Sequence, residues 1–288
     1  MFYMLLQQAA IIVMIVIAFL YAMFDVFNKR EVPDLFVYVA LAIGVLFTLT
    51  YTAHVAEESL LIAAVVFAIG YVIYRAGFWG AGDFFELTTI SLLLPIQTKP
   101  LLTSIGQLGL PFVVSLFIAA GIAAIWLVPI YYLVVKRGTA ARKTKTQPIY
   151  KVLGVILLAM YLILLLFIYA LFGINFVRIV IIAAIGIPSA LTLAYEEEIT
   201  SRMTAMASPK SLSPGDIIAV NLMGRQDIKY FKGIYPKFSR LATKEMISKI
   251  KGAKKKLPVY VNAAPFTLFV FIGAIISLLF GNLILYIL

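Results

Sequence analysis

Two acids stand out in this sequence: Asp25 and Asp83 each sit at the edge of a long apolar run, outside any charged loop, and the second closes Gly80-Ala81-Gly82-Asp83. Carboxylates at membrane depth are costly and rare, so such a pair marks a functional site by default. Two carboxyls about 3 Å apart cannot both ionise; they share one proton, leaving one group to accept a proton and the other to donate one. Water held between them is deprotonated as it attacks an amide carbonyl. The neutral partner polarises that carbonyl and later protonates the leaving amine. The apparent pKa values of such a pair belong to the pair, and the chemistry needs neither metal nor cofactor. Gly80 and Gly82 lack Cβ, so the backbone there is expected to bend sharply at a helix start and to admit an extended substrate closely. Extended backbone at this depth is tolerated only in a polar or protein-lined cavity.

The elements that carry these acids belong to a bilayer. Of 288 residues, 63% are hydrophobic and only 13% charged, with mean hydropathy +1.04, an apolar share well above that of soluble globular domains. The absence of cysteine excludes disulfides, thiolate nucleophiles and Cys-based zinc sites, and a single histidine excludes a histidine metal cluster. Carboxylates and hydroxyls remain. The first apolar run has no basic flank before it and no small-residue cleavage site after it, so it is expected to be retained as a helix.

Apolar runs near the spanning length of about 20 residues lie at 4–27, 34–53, 60–76, 110–135, 150–172, 176–195 and 259–287, and a shorter one runs from Asp83 to near Pro95. With the N-terminus outside, 22 of the 24 basic residues fall in inner loops or at their edges, leaving Lys99 and Arg178 outside, as the positive-inside rule requires. Both termini are then outside. Asp25 and Asp83 share the cytoplasmic face, and Glu57-Glu58 with His54 fall in a short outer loop. The net charge of +11 reads as a cytoplasmic collar facing anionic lipid, with no nucleic-acid partner implied. The expected fold is an all-α polytopic membrane protein of about eight transmembrane helices, with a small cytoplasmic α/β subdomain before the last.

Four regions follow from this reading: 1–96 with both aspartates, 97–195 with additional transmembrane helices, a basic cytoplasmic subdomain at 196–258, and a last transmembrane helix at 259–288. The subdomain holds thirteen basic residues against six acidic ones (Glu196, Glu197, Glu198, Asp216, Asp227, Glu245). Ile217 to Val220 is expected to form a short strand, and Thr243 to Lys251 an amphipathic helix with Met246, Ile247 and Ile250 on one side. Asp216 lies in a Pro-Gly turn, where Asp is common for conformational reasons. Glu86, on the same helical face as Asp83, is expected to be a solvated neighbour.

Phe24-Asp25, then Asn28-Lys29-Arg30-Glu31-Val32-Pro33, with Gly80-Ala81-Gly82-Asp83 following, resembles the type IV prepilin peptidases, and especially the archaeal branch that includes preflagellin (pre-archaellin) peptidases. The resemblance implies a GxGD intramembrane aspartic protease with Asp25 and Asp83 as its catalytic pair. It implies cleavage of short basic leader peptides from pilin-like or archaellin precursors at the cytoplasmic membrane face. Leu257-Pro258 and Ala264-Pro265-Phe266 resemble the family's proline-containing entry to its final helix, and Leu212 to Ile218 resembles the soluble region of archaeal members. Two departures stand out: Phe85 occupies a position where many members carry Lys, and the helices at 110–195 outnumber those of a six-helix archaeal member. The presenilin branch is less similar, for the chain lacks a Pro-Ala-Leu motif before its last helix.

The competing reading is a proton- or cation-coupled transporter using the two carboxylates as a relay. It would predict ionisable residues at several depths or inverted repeats with broken helices. The sequence shows neither pattern.

Overall fold

The structure, a computed structural model, describes residues 2–28, 31–96, 99–102, 110–135, 148–173, 176–261 and 264–286. Lys29, Arg30 and the basic stretch 136–147, on which part of the orientation argument rests, lie outside the described residues. The apolar runs are helices: α1 (Phe2–Phe27), α2 (Asp34–Thr50), α3 (Ala53–Arg75), α4 (Ala81–Leu93), α5 (Phe112–Ile130), α6 (Pro148–Phe172) and α7 (Phe176–Ala194). A polar helix α8 (Glu196–Met203) leads into the subdomain, which contains α9 (Arg225–Ile234) and α10 (Lys244–Ile250), and α11 (Phe266–Phe280) closes the order. By length and composition α1, α3, α5 and α6 reach membrane-crossing size, whereas α2, α11 and the Ile182–Ala194 part of α7 are shorter apolar helices. The protein is thus a mostly helical membrane protein with several passes.

Three boundaries differ from expectation. Helix α3 starts at Ala53, so His54 lies in its first turn and pairs with Glu58 at 3.4 Å; a helical i,i+4 pair replaces a loop. Helix α11 spans only Phe266–Phe280, where Gly281 with φ 75° ends it. The strand expected at 217–220 gives way to isolated bridges, Ile217 to Leu241 and Ile218 to Val259. The sheet is instead an antiparallel pair, β1 (Thr204–Ala207) with β2 (Leu257–Tyr260), in register Thr204 to Tyr260, and β2 straddles the boundary expected at 258.

Helix α4 is the hub of the bundle. It packs against α1, α2, α3, α5 and α11, and Phe84 and every residue from Glu86 to Leu93 are buried. A helix only 13 residues long ends inside the apolar layer, where its last carbonyls would lack partners. Neighbouring hydroxyls supply them. Ser59 donates to the Leu92 carbonyl at 2.9 Å and Thr48 at 3.2 Å, while the Tyr51 hydroxyl caps Leu93. Within α4, Thr88 and Ser91 bond back to the carbonyls of Phe84 and Leu87, as side-chain hydroxyls do in apolar helices. Close approach comes from glycine: a Cβ on Gly70 of α3 would lie 2.4 Å from Cβ of Phe84. Likewise, a Cβ on Gly273 of α11 would lie 2.6 Å from the Ala120 nitrogen of α5.

The membrane core gathers Met14, Ile17 and Tyr21 of α1 with Leu87 and Ile90 of α4, Leu116 of α5 and Val270 of α11. A second core fills the subdomain, with Phe231 and Phe238 stacked at 5.2 Å and Met246, Ile250 and Val259 around them. Thr243 caps α10, accepting from the Met246 amide at 3.2 Å, a Thr N-cap in ordinary form. Helix α5 contains Pro129 and continues into a π-helical turn, Tyr131–Val135. The carbonyl of Tyr132 there accepts from the buried Arg202 of α8, which also pairs with Glu198. This bond ties the subdomain's first helix to the end of α5.

Candidate active site

Asp25 lies in the last turn of α1 and is only 8% exposed. Its Oδ2 accepts the backbone N–H of Thr267 at 3.2 Å and the Thr267 hydroxyl at 3.0 Å. Thr267 is in the first turn of α11, after the N-cap Pro265, where amides have no intrahelical partner and the helix dipole is positive. One short motif therefore anchors an acid 242 residues away in sequence.

Asp83 occupies the third position of α4 and is partly buried, its Oδ2 accepting the Gly80 N–H at 2.7 Å. Gly80 is extended, with φ −75°. The sharp bend expected at Gly80 or Gly82 is found at Gly77, with φ 75°. Gly82 serves close approach instead, because a Cβ there would lie 3.2 Å from Cγ2 of Val32; its bareness lets the segment after α1 lie on the start of α4. The loop before α4 also meets the subdomain. The Arg240 guanidinium sits 4.5 Å over the Phe78 ring, a cation–π contact, and Trp79 packs on Phe266 of α11 at 5.2 Å.

Asp25, Asp83 and the subdomain therefore share one end of the bundle, and α1 and α4 pack directly on each other. Asp25 and Asp83 lie within electrostatic reach of each other and of Glu86, one turn below Asp83 on α4. Glu86 corrects the sequence-based expectation of a solvated neighbour: it is 0% exposed, because α4 is enclosed on all sides. A groove of about 360 Å³ runs to Asp25, lined by Leu127, Val128, Tyr131, Pro265 and Leu268 among others. Among the described residues, no cluster of three or more His, Cys, Asp or Glu side chains is placed to hold a metal ion.

Against this geometry, residues 11–128 match the model of the type IV leader peptidase family. That segment is similar to the type IV leader peptidase family. No curated protein and no solved structure matches the chain. The leader-peptidase match spans both aspartates and the Gly80–Asp83 motif, and stops before α6, α7, the subdomain and Thr267. The match supports a leader-peptidase-like protease and does not favour a transporter, and with the spanning helices it fits a multi-pass membrane protein.

Within the matched segment, Phe85 stacks on Phe84 at 4.5 Å and meets Phe67 at 5.8 Å, as part of an aromatic cluster of α3 and α4. Outside the segment, Asp216 accepts the Ser213 N–H at 2.7 Å, a turn-stabilising bond that accounts for it. Sequence reasoning passed over Thr267 and Tyr21. A hydroxyl directly after a helix-entering proline, in an otherwise apolar helix, was the signal available for Thr267; Tyr21, in a helix rich in aromatics, offered none.

Proposed function

We propose that the chain is an intramembrane aspartic endopeptidase that removes short basic leader peptides from type IV pilin-like or archaellin precursors at the cytoplasmic membrane face. Asp25 and Asp83 are its catalytic pair. One observation supports the reading most: two acids from different helices lie at one end of the bundle within electrostatic reach of each other, each held by a backbone amide.

In this mechanism the pair shares a proton. The ionised member takes a proton from water attacking the scissile carbonyl, and the neutral member donates to that carbonyl and then to the departing amine. The apolar groove beside Asp25 suits the first residues of the precursor's apolar helix in extended form, with the basic leader held at anionic headgroups. Gly80 keeps the start of α4 free of a side chain where that strand would pass, while Gly82 receives Val32. All eight apolar helices traverse or enter the bilayer, both termini lie outside, and the subdomain is cytoplasmic.

The test is incubation of detergent-purified protein with pilin-like and archaellin precursors, read by mass spectrometry of the new N-terminus. A single cut at the leader junction is expected, unaffected by a chelator, with the rate falling at both ends of the pH range. At low pH both carboxyls hold protons and no base remains; at high pH both are ionised and no acid remains. Intact precursors throughout, or activity lost with chelator alone, would overturn the proposal.

A further inference from the structure

Each aspartate has a buried polar side chain one helical turn deeper in the bundle. On α1, Tyr21 lies four residues before Asp25; on α4, Glu86 lies three residues after Asp83, so each pair shares a helical face. Both deeper residues are 0% exposed, and the Tyr21 hydroxyl and both Glu86 oxygens have no hydrogen-bond partner among the described residues.

We propose that Glu86 is a positioning residue of the site, a neutral carboxylic acid one helical turn below Asp83 whose O–H, unpartnered in this structure, donates to the Asp25–Asp83 pair during the reaction, with Tyr21 buried in the same interior. The proposal rests on the peptidase reading. An ionised carboxylate buried without a partner is strongly unfavourable, and here it would face two further acids.

Among the described residues, the elements packed around α4 offer no cation to offset it. Helices α5 and α11 contain no Asp, Glu, His, Lys, Arg or Tyr. On α2, Asp34 and Tyr38 are exposed. On α3, His54 and Glu57 are exposed at one end and Arg75 at the other; Glu58 pairs with His54, Tyr71 is exposed and Tyr74 packs on Phe84. A carboxyl that keeps its proton retains one O–H donor. A neutral acid aimed at a charged pair is a recurrent way to stabilise one negative charge in an apolar site.

The neutral-donor role separates from packing and from pure charge by two substitutions in the full-length protein. With Glu86→Met the donor is lost and the volume kept, so kcat on a cleaved precursor falls by about 10- to 100-fold, the range for one hydrogen bond to a charged group. KM is unchanged and the melting temperature is equal or higher. With Glu86→Gln an N–H donor remains and kcat stays within about fivefold of wild type, on the same physical ground. Infrared spectroscopy of the purified protein at neutral pH should show a protonated-carboxylic-acid carbonyl band that Glu86→Gln removes.

Wild-type kcat in Glu86→Met, equal losses in the two variants, or a band unchanged by Glu86→Gln would each overturn the proposal. If wild type cuts no precursor, the peptidase reading fails. The infrared band then decides on its own whether Glu86 holds the proton.

Discussion

Thr267 is the residue that turns a lone acid at a helix end into a fixed group. Its amide and hydroxyl both donate to one oxygen of Asp25, so the carboxylate cannot swing toward the lipid without losing two charge-assisted bonds. Thr267→Val keeps the shape and removes the hydroxyl donor. We expect kcat to fall about tenfold with KM little changed, since a hydrogen bond to a charged group contributes roughly 1.5–3 kcal/mol. Thr267→Ser should restore most of the rate; a Val variant at wild-type rate would remove Thr267 from the site. At this scale the sequence was legible where a residue is unusual in its surroundings: an acid beside an apolar run needs explanation wherever the chain goes. Glu86 was misjudged because its solvation depends on five neighbouring helices, and no local pattern reports how completely they enclose it.

At the scale of elements, α4 explains how a short helix presents Asp83. Hydroxyls from α2, the following Tyr51 and α3 end it, the Asp83 carboxylate caps its start, and glycine on α3 lets it sit close. Gly70→Ala places a methyl group 2.4 Å from Cβ of Phe84, too near for any rotamer to relieve. We expect a loss of about 1–3 kcal/mol in stability, in the range for overpacking, seen as a lower melting temperature. Phe84→Ala in the same protein should restore part of it; no change in either variant would show that α3 and α4 do not meet there. The apolar runs marked where these helices lie, since each is a long local signal. The β1–β2 pairing was not legible, because its partners are some fifty residues apart and neither four-residue strand has a strong pattern. The bend was likewise assigned to the wrong glycine: it falls at Gly77, beside Arg240 and Leu241 of the subdomain, which no local pattern reports.

Over the whole molecule, the subdomain, the Gly77–Gly80 loop and the anchored end of α1 form one continuous end of the bundle, joined through Arg240 on Phe78 and Arg202 on Tyr132. The basic surplus of the subdomain would hold that end against anionic lipid. Because the chain has no cysteine, single cysteines report sidedness cleanly. In intact cells, Glu57→Cys should react with a membrane-impermeant maleimide and Lys251→Cys only after permeabilisation; the reverse pattern would invert the topology. The account stands or falls on the two aspartates acting together. Precursor cleavage by purified Asp25→Asn, Asp83→Asn and the double variant, each verified as folded by its melting temperature, puts that to the test. The expected result is that both single variants lose cleavage and the double variant is no worse than either; a single variant that still releases the mature N-terminus at a rate near wild type would contradict it.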